Sequence, residues 1–288
     1  MRIGVGDIRL FFDADGAKVV ADGPWMRERL TVLLLHPGPG FDHGVFKVQI
    51  GPWLVDAGFQ VVYLDQRGGG RSDLGPPEEL RLDRWADDVR EFCDALGIER
   101  PVVLGLGFGA LVALRYASRH PAHPGGLVLT APVARVVPER SIAVFEQLGG
   151  RDARDVAERF YRDLDERAFG DFLRVCFPLL TGYRETSDVI VRADWRPEVL
   201  IGWMRGESRE LDLRDDLGAI QAPALVLAGE DDAWAPLESV REVVAGLPAE
   251  NTRFRSFPGA RHSVVRDAPE AGEELRLFLD GLQGGGAT

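Results

Sequence analysis

The sequence predicts an α/β protein built on a mostly parallel central sheet flanked by helices, with a block of helices inserted between two of its strands. Short apolar runs such as TVLLL at 31–35 and ALVLA at 224–228 have the composition of strands covered by helices on both faces. These runs alternate with amphipathic helical segments, the rhythm of βαβ units. Between two such strands, residues 133–216 carry apolar residues at helical spacing, as in VFEQL, DVAERFYRDL and FGDFLRVCF, and no strand pattern.

Along the chain, 8–12 (IRLFF) and 17–20 (AKVV) predict an opening antiparallel hairpin turned at Asp13, Asp15 and Gly16. The strand 31–35 ends abruptly at HPGPG, and a helix over 45–57 leads to the strand VVYLD at 61–65 and the loop QRGGGRS. Leu82, Trp85, Val89, Phe92 and Leu96 line one face of a helix over 80–96, and Gly97 stops it. Strand 102–104, the turn GLGFG, helix 108–118 and strand 127–130 form a further crossover, which chirality makes right-handed. Beyond the insertion come strand 224–230, helix 237–246, strand 252–257 and helix 268–282, and the tail GLQGGGAT is expected to fray. The domain reading is therefore a core of 1–132 and 217–288 with a helical cap over 133–216.

Composition narrows the function classes. Hydrophobic residues at 45% and charged residues at 28% supply a sizeable core and exclude a disordered chain. A net charge of -12 repels phosphate backbones and anionic lipid, so neither nucleic acid nor a membrane is an expected partner. Cys93 and Cys176 form no CxxC and no metal-ligand spacing, so they are expected as buried free thiols, with no metal and no cofactor. The N-terminus has no basic start before an apolar run, and no run of about 18 apolar residues occurs, so a cytoplasmic location is expected.

The chemistry is concentrated in three loops that follow strands. Asp232 in GEDDAWAP and His262 in FPGARHS stand in the order acid then histidine that an α/β-hydrolase triad requires, each just past a strand. Asp231 rivals Asp232 for the acid role, and the spacing from Gly229 to Pro236 favours Asp232. The strand-to-helix turn that normally reads GxSxG is Gly105, Leu106, Gly107, Phe108, Gly109, so glycine holds the nucleophile position. Glycine accepts the positive φ of that turn without the strain a serine bears, but it forms no acyl-enzyme. Gly105, Gly107 and Ala110 also match GxGxxA. That dinucleotide reading is poor, because this is not the first βαβ unit and no acid ends the next strand. In HPGPG, Pro37 has no N–H but Gly38 has one, and with the N–H of Phe108 it would make an oxyanion hole.

These motifs together resemble the proline iminopeptidase family over nearly the whole chain. HPGPG is similar to the family's HGGPG with a departure at Pro37, and DQRGGGRSD at 65–73 matches DQRGxGxS. The turn matches except at Gly107, and Asp232 and His262 fall on the family's acid and base. The resemblance implies amide or ester hydrolysis of a small molecule or short peptide by serine attack, the step that Gly107 removes. It also implies acidic and aromatic cap residues around the substrate amine; no cap motif here matches, and Glu207 in RGES is the only residue singled out. Three accounts of Gly107 follow, the first of them favoured: a hydrolase with its nucleophile replaced, an enzyme using Asp232 and His262 as a general base without a nucleophile, or a binder without catalysis.

Overall fold

The computed structural model describes residues 1–182 and 193–284. Its main sheet has eight strands in the order β1-β2-β6-β5-β7-β8-β9-β10. They are β1 (Arg2–Val5), β2 (Ile8–Asp15), β5 (Thr31–Leu35), β6 (Gln60–Leu64), β7 (Val102–Leu106), β8 (Gly126–Thr130), β9 (Ala224–Gly229) and β10 (Thr252–Phe257). From β6 to β10 every pairing is parallel; β1 with β2 and β2 with β6 are antiparallel. Every residue of β5, β7, β8 and β9 is buried, as strands between two helical layers must be.

The opening hairpin is paired differently from the sequence expectation. Ile8–Asp15 turns back at Gly6, whose φ is +55°, onto Arg2–Val5, and its other edge joins β6. Residues from 19 onward leave the sheet: β3 (Val19–Asp22) pairs only with β4 (Trp25–Glu28) as a separate two-stranded ribbon. The reason is visible in β2, where Ile8, Leu10 and Phe12 alternate into the core while β3 buries no residue. The helix expected over 45–57 is two short ones, α1 (Gly44–Gln49) and α2 (Gly51–Asp56), broken at Ile50. Pro52 cannot donate to the preceding turn, and a side chain at 51 would collide with the Tyr63 hydroxyl, 2.0 Å from its Cβ position.

The helix α3 (Leu82–Leu96) buries the face read from the sequence and ends at Gly97 in a left-handed conformation. It is anchored to the QRGGGRS loop by the wholly buried Arg67. That guanidinium donates to Asp88 at 2.7 and 2.9 Å and to Asp7 at 2.9 Å. Between β8 and β9 the described chain is helical, with segments Pro138–Asp163, Glu166–Val175, Phe177–Thr181 and Pro197–Arg205. Part of the expected cap, 183–192, lies outside the described residues, as does the end of the tail, 285–288. The last helix, Pro269–Gly284, runs slightly beyond its expected end. Both cysteines are buried free thiols, pushed up to about 12 by burial. Among the described residues no helix is long and apolar enough to cross a membrane.

Candidate active site

The sheet brings its chemistry together at the carboxyl ends of β5, β7, β9 and β10, where loops of an open α/β sheet converge. From β7 the chain passes through Gly107 directly into α4 (Phe108–Arg119). Gly107 has φ +54° and ψ -112°, backbone that costs an L-residue strain. The flanking glycines answer to close approach instead. A Cβ on Gly105 would lie 2.3 Å from the Gly109 carbonyl oxygen, and one on Gly109 would lie 2.0 Å from that of Leu35. The GxGxG spacing is therefore what lets α4 press against β5 and β7.

Asp232, in the loop after β9, is fully buried. One carboxylate oxygen accepts the backbone N–H groups of Trp234 and Ala235 at 2.8 and 3.1 Å. The other is 2.9 Å from Nδ1 of His262, in the loop after β10. Asp231 instead directs its backbone N–H to the Ala260 carbonyl, so the acid beside His262 is Asp232. With Nδ1 so engaged, Nε2 faces the turn: it is 2.8 Å from the place a Cβ on residue 107 would occupy, and Cε1 is 3.0 Å from it. The imidazole therefore reaches into the space of the missing side chain.

Gly38 and Phe108 line one small cavity together with Gly107. The Phe108 N–H belongs to the first turn of α4, where helical N–H groups have no intrahelical acceptor and the dipole favours negative charge. Gly38 sits at φ +74°, and its own missing Cβ leaves room for the Phe41 ring, 2.8 Å away.

The HPGPG loop is held by the second motif, a role the sequence reading did not assign to DQRGGGRS. Nε2 of the buried His36 accepts the Gln66 backbone N–H at 3.0 Å, and the Gln66 side chain donates to the His36 carbonyl at 3.1 Å. Burial lowers the His36 pKa, consistent with a neutral ring that accepts at Nε2. Asp65 accepts the His43 backbone N–H and the Arg71 backbone N–H, both at 2.9 Å, and pairs with His43 Nδ1 at 2.7 Å. Burial pushes the Asp65 carboxyl up, but the bonds from His43 and Arg71 outweigh it and the net shift is downward.

A cavity of about 270 Å³ opens beside His262, walled by Phe160, Phe169, Phe172, Trp195 and Trp234 together with Pro37, Gly38 and Phe41. A smaller one of about 40 Å³ lies against Gly107 and Phe108 and reaches Ser141 and Tyr161; Gly38, Leu200 and Trp234 line both. The aromatic wall was missed in the sequence because its members come from separate places: Phe160, Phe169 and Phe172 from two inserted helices at ordinary core spacing, Trp195 from the stretch before Pro197–Arg205, and Trp234 from the loop after β9. Glu207 lines neither cavity. Its carboxylate accepts the Leu82 backbone N–H at 2.8 Å, capping α3, and lies 3.8 Å from the Arg81 guanidinium. The substrate-amine role singled out for it is accordingly replaced by a structural one.

A parallel sheet with an Asp–His pair and a sharp strand-to-helix turn at the ends of its strands defines an α/β-hydrolase. The family model described as serine aminopeptidase, S33, matches residues 27–269, and the chain belongs to that family. It is similar to a proline iminopeptidase of Thermoplasma volcanium, 23% identical over 275 residues that cover 88% of this chain and 90% of the relative. A 2-hydroxy-6-oxo-6-phenylhexa-2,4-dienoate hydrolase of Comamonas testosteroni is 28% identical over 262 residues, covering 88% and 87%. In fold, the chain matches the crystal structure of proline iminopeptidase from Mycobacterium smegmatis with a TM-score of 0.77 at 23% identity, over 98% of each chain.

Proposed function

We propose that this chain is an α/β-hydrolase-family enzyme that works without a covalent intermediate, with Asp232 and His262 as a general base facing an oxyanion cradle of Gly38 and Phe108. One observation carries the reading: Nε2 stands 2.8 Å from the Cβ position of residue 107. A serine hydroxyl hydrogen-bonded to a histidine keeps its Cβ about 3.5 Å from the ring nitrogen, as an O···N distance of about 2.8 Å and a tetrahedral oxygen require. The imidazole here has advanced to where the hydroxyl oxygen would otherwise intervene. It is therefore placed to take a proton directly from a group lying beside a carbonyl in the cradle.

For hydrolysis, His262 removes a proton from water as the water oxygen bonds to the carbonyl carbon, and the carbonyl oxygen takes the charge toward the two N–H groups. Collapse of that adduct breaks the bond to the leaving group, which receives the proton from the imidazolium. The same base acting on a C–H beside the carbonyl would give an enolate and lyase or isomerase chemistry. The hydrolytic names of the relatives favour water as the group deprotonated. The reading of a serine hydrolase that has simply lost its nucleophile comes second, and it differs in expecting a serine restored at 107 to take up an acyl group.

The test is turnover of a panel of neutral aryl esters and aryl ketones by the wild type and by His262→Ala, with intact-mass spectrometry during turnover. The expected result is activity that falls about 10²–10⁴-fold in the variant, the usual contribution of a general base, and no acyl adduct in the wild type. Turnover in H₂¹⁸O should label a hydrolytic product once and a lyase or isomerase product not at all. An acyl adduct, or activity indifferent to residue 262, would refute the proposal.

A further inference from the structure

We infer that the small cavity beside Gly107 holds the water that attacks the substrate, and that Tyr161 and Ser141 are its positioning residues. The inference rests on the general-base reading for the group that takes the water's proton; where the water is held comes from the walls of the two cavities.

His262 lines the large cavity and Gly107 the small one, and the 2.8 Å from Nε2 to the Cβ position of residue 107 sets the base at their junction. The small cavity, of about 40 Å³, has room for a few waters or one small group. Two pairs of polar side chains line it. Arg135 and Ser239 belong to the Glu242 network: Arg135 donates to Glu242 at 2.8 and 3.1 Å, and Ser239 accepts from Arg140 at 3.2 Å. Ser141 and Tyr161, both on the inserted helix Pro138–Asp163, form the other pair. Their hydroxyls hydrogen-bond to each other, and the Tyr161 ring packs on Phe160 and on Trp234, two residues beyond Asp232. Burial raises the Tyr161 pKa despite the bond to Ser141, so the phenol keeps its proton and remains a donor.

Two hydroxyls that share one hydrogen bond keep one O–H proton and acceptor lone pairs for a third partner. With Ser141 donating to the Tyr161 oxygen, the phenol donates to the water oxygen and the Ser141 oxygen accepts one water proton. The other water proton goes to Nε2 of His262, and the remaining lone pair is left for the carbonyl carbon. In the reaction that lone pair bonds to the carbon as the C=O π pair moves onto oxygen, toward the N–H groups of Gly38 and Phe108. Nε2 takes the proton; collapse of the adduct then breaks the bond to the leaving group, which receives that proton from the imidazolium. Holding the water in one direction removes the orientational entropy that a free water would lose on attack. Methanol suits the place less well, having one proton to donate where water has two.

The experiment follows the acid and the methyl ester formed from phenyl propanoate and phenyl phenylacetate at a fixed methanol concentration, using the full-length wild type, Tyr161→Phe and Ser141→Ala. Both products come from the same active molecules, so their ratio does not depend on the fraction folded. In Tyr161→Phe, kcat for acid is expected to fall at least about 10-fold with KM within about 2-fold, the loss of one hydrogen bond to the attacking group. The ratio of methyl ester to acid is expected to rise at least about 5-fold, because the space that a hydroxyl edged now favours a methyl group. Ser141→Ala should move the ratio the same way, by at least about 2-fold. A ratio unchanged in either variant, a rise in KM at constant kcat, or a wild type that forms no acid from either ester would each overturn the inference. The general-base reading fails on other measurements, an acyl adduct or activity indifferent to residue 262, so the two failures are distinguishable.

Discussion

Restoring the hydroxyl by Gly107→Ser perturbs the one position on which the reading depends, and the structure gives the size of the effect. A side chain at φ +54° costs about 1–3 kcal/mol. Its Cβ would lie 2.8 Å from His262 Nε2, so the ring must retreat by about 0.7 Å to reach serine-bonding distance. That retreat is resisted by the 2.9 Å bond from Nδ1 to Asp232, whose own position is fixed by two backbone N–H groups. The expected outcome is a lower melting temperature, about 2–4 °C for each kcal/mol in a chain near this size, with only weak labelling by a fluorophosphonate. Gly107→Ala separates strain from hydroxyl chemistry and should melt like the serine variant. Scanning fluorimetry reads the first quantity and intact-mass spectrometry the second. A serine variant as stable as the wild type, labelled rapidly and turning over aryl esters about 10³-fold faster than it, would show that the imidazole was waiting for a serine, and the general-base reading would fall.

Two further outcomes follow from the buried and bridging charges. Arg67→Met removes the guanidinium from a buried carboxylate, which usually costs about 3–5 kcal/mol; Arg84 still reaches Asp88 at 2.8 Å, so urea titration should show a loss near the lower figure. A loss below about 1 kcal/mol would refute that account of the QRGGGRS anchor. Glu242 is held at about 2, below its ordinary 4.5, by hydrogen bonds from Arg135 and Arg140, which lie in the expected cap segment. A depressed acid stabilises the fold above its unfolded pKa, and that contribution fades as pH falls from about 4.5 through about 2. Since the pair sits near solvent, Glu242→Gln should cost only about 1 kcal/mol at pH 7, and urea midpoints should show this gap narrowing below pH 4.5. A gap that stays constant with pH would rule the linkage out.

Much of the architecture was legible because it is written at short range. The apolar runs of β5, β7 and β9 can be satisfied only between helical layers, and Asp232, His262 and the 105–109 turn each follow a strand closely enough to be placed by chain order. The opening segment was misread because alternation shows which residues of a strand face the core, not which strand it joins. Gly6 turned β2 back onto β1 and left β3 outside the sheet. Glu207 was misplaced for a similar reason: a carboxylate in a loop looks free until the helix whose N–H it caps arrives from 125 residues away in sequence.

By itself, then, the sequence determined the fold class, the acid–histidine pair and the absence of a side chain at 107, since these depend on local pattern and chain order. Tertiary structure alone decided that the imidazole enters the space this glycine leaves, that DQRGGGRS braces the HPGPG loop, and that rings from inserted helices and from loops after the strands close around one cavity. Those are distances between segments remote in sequence, and no local periodicity encodes how far apart packing will set them.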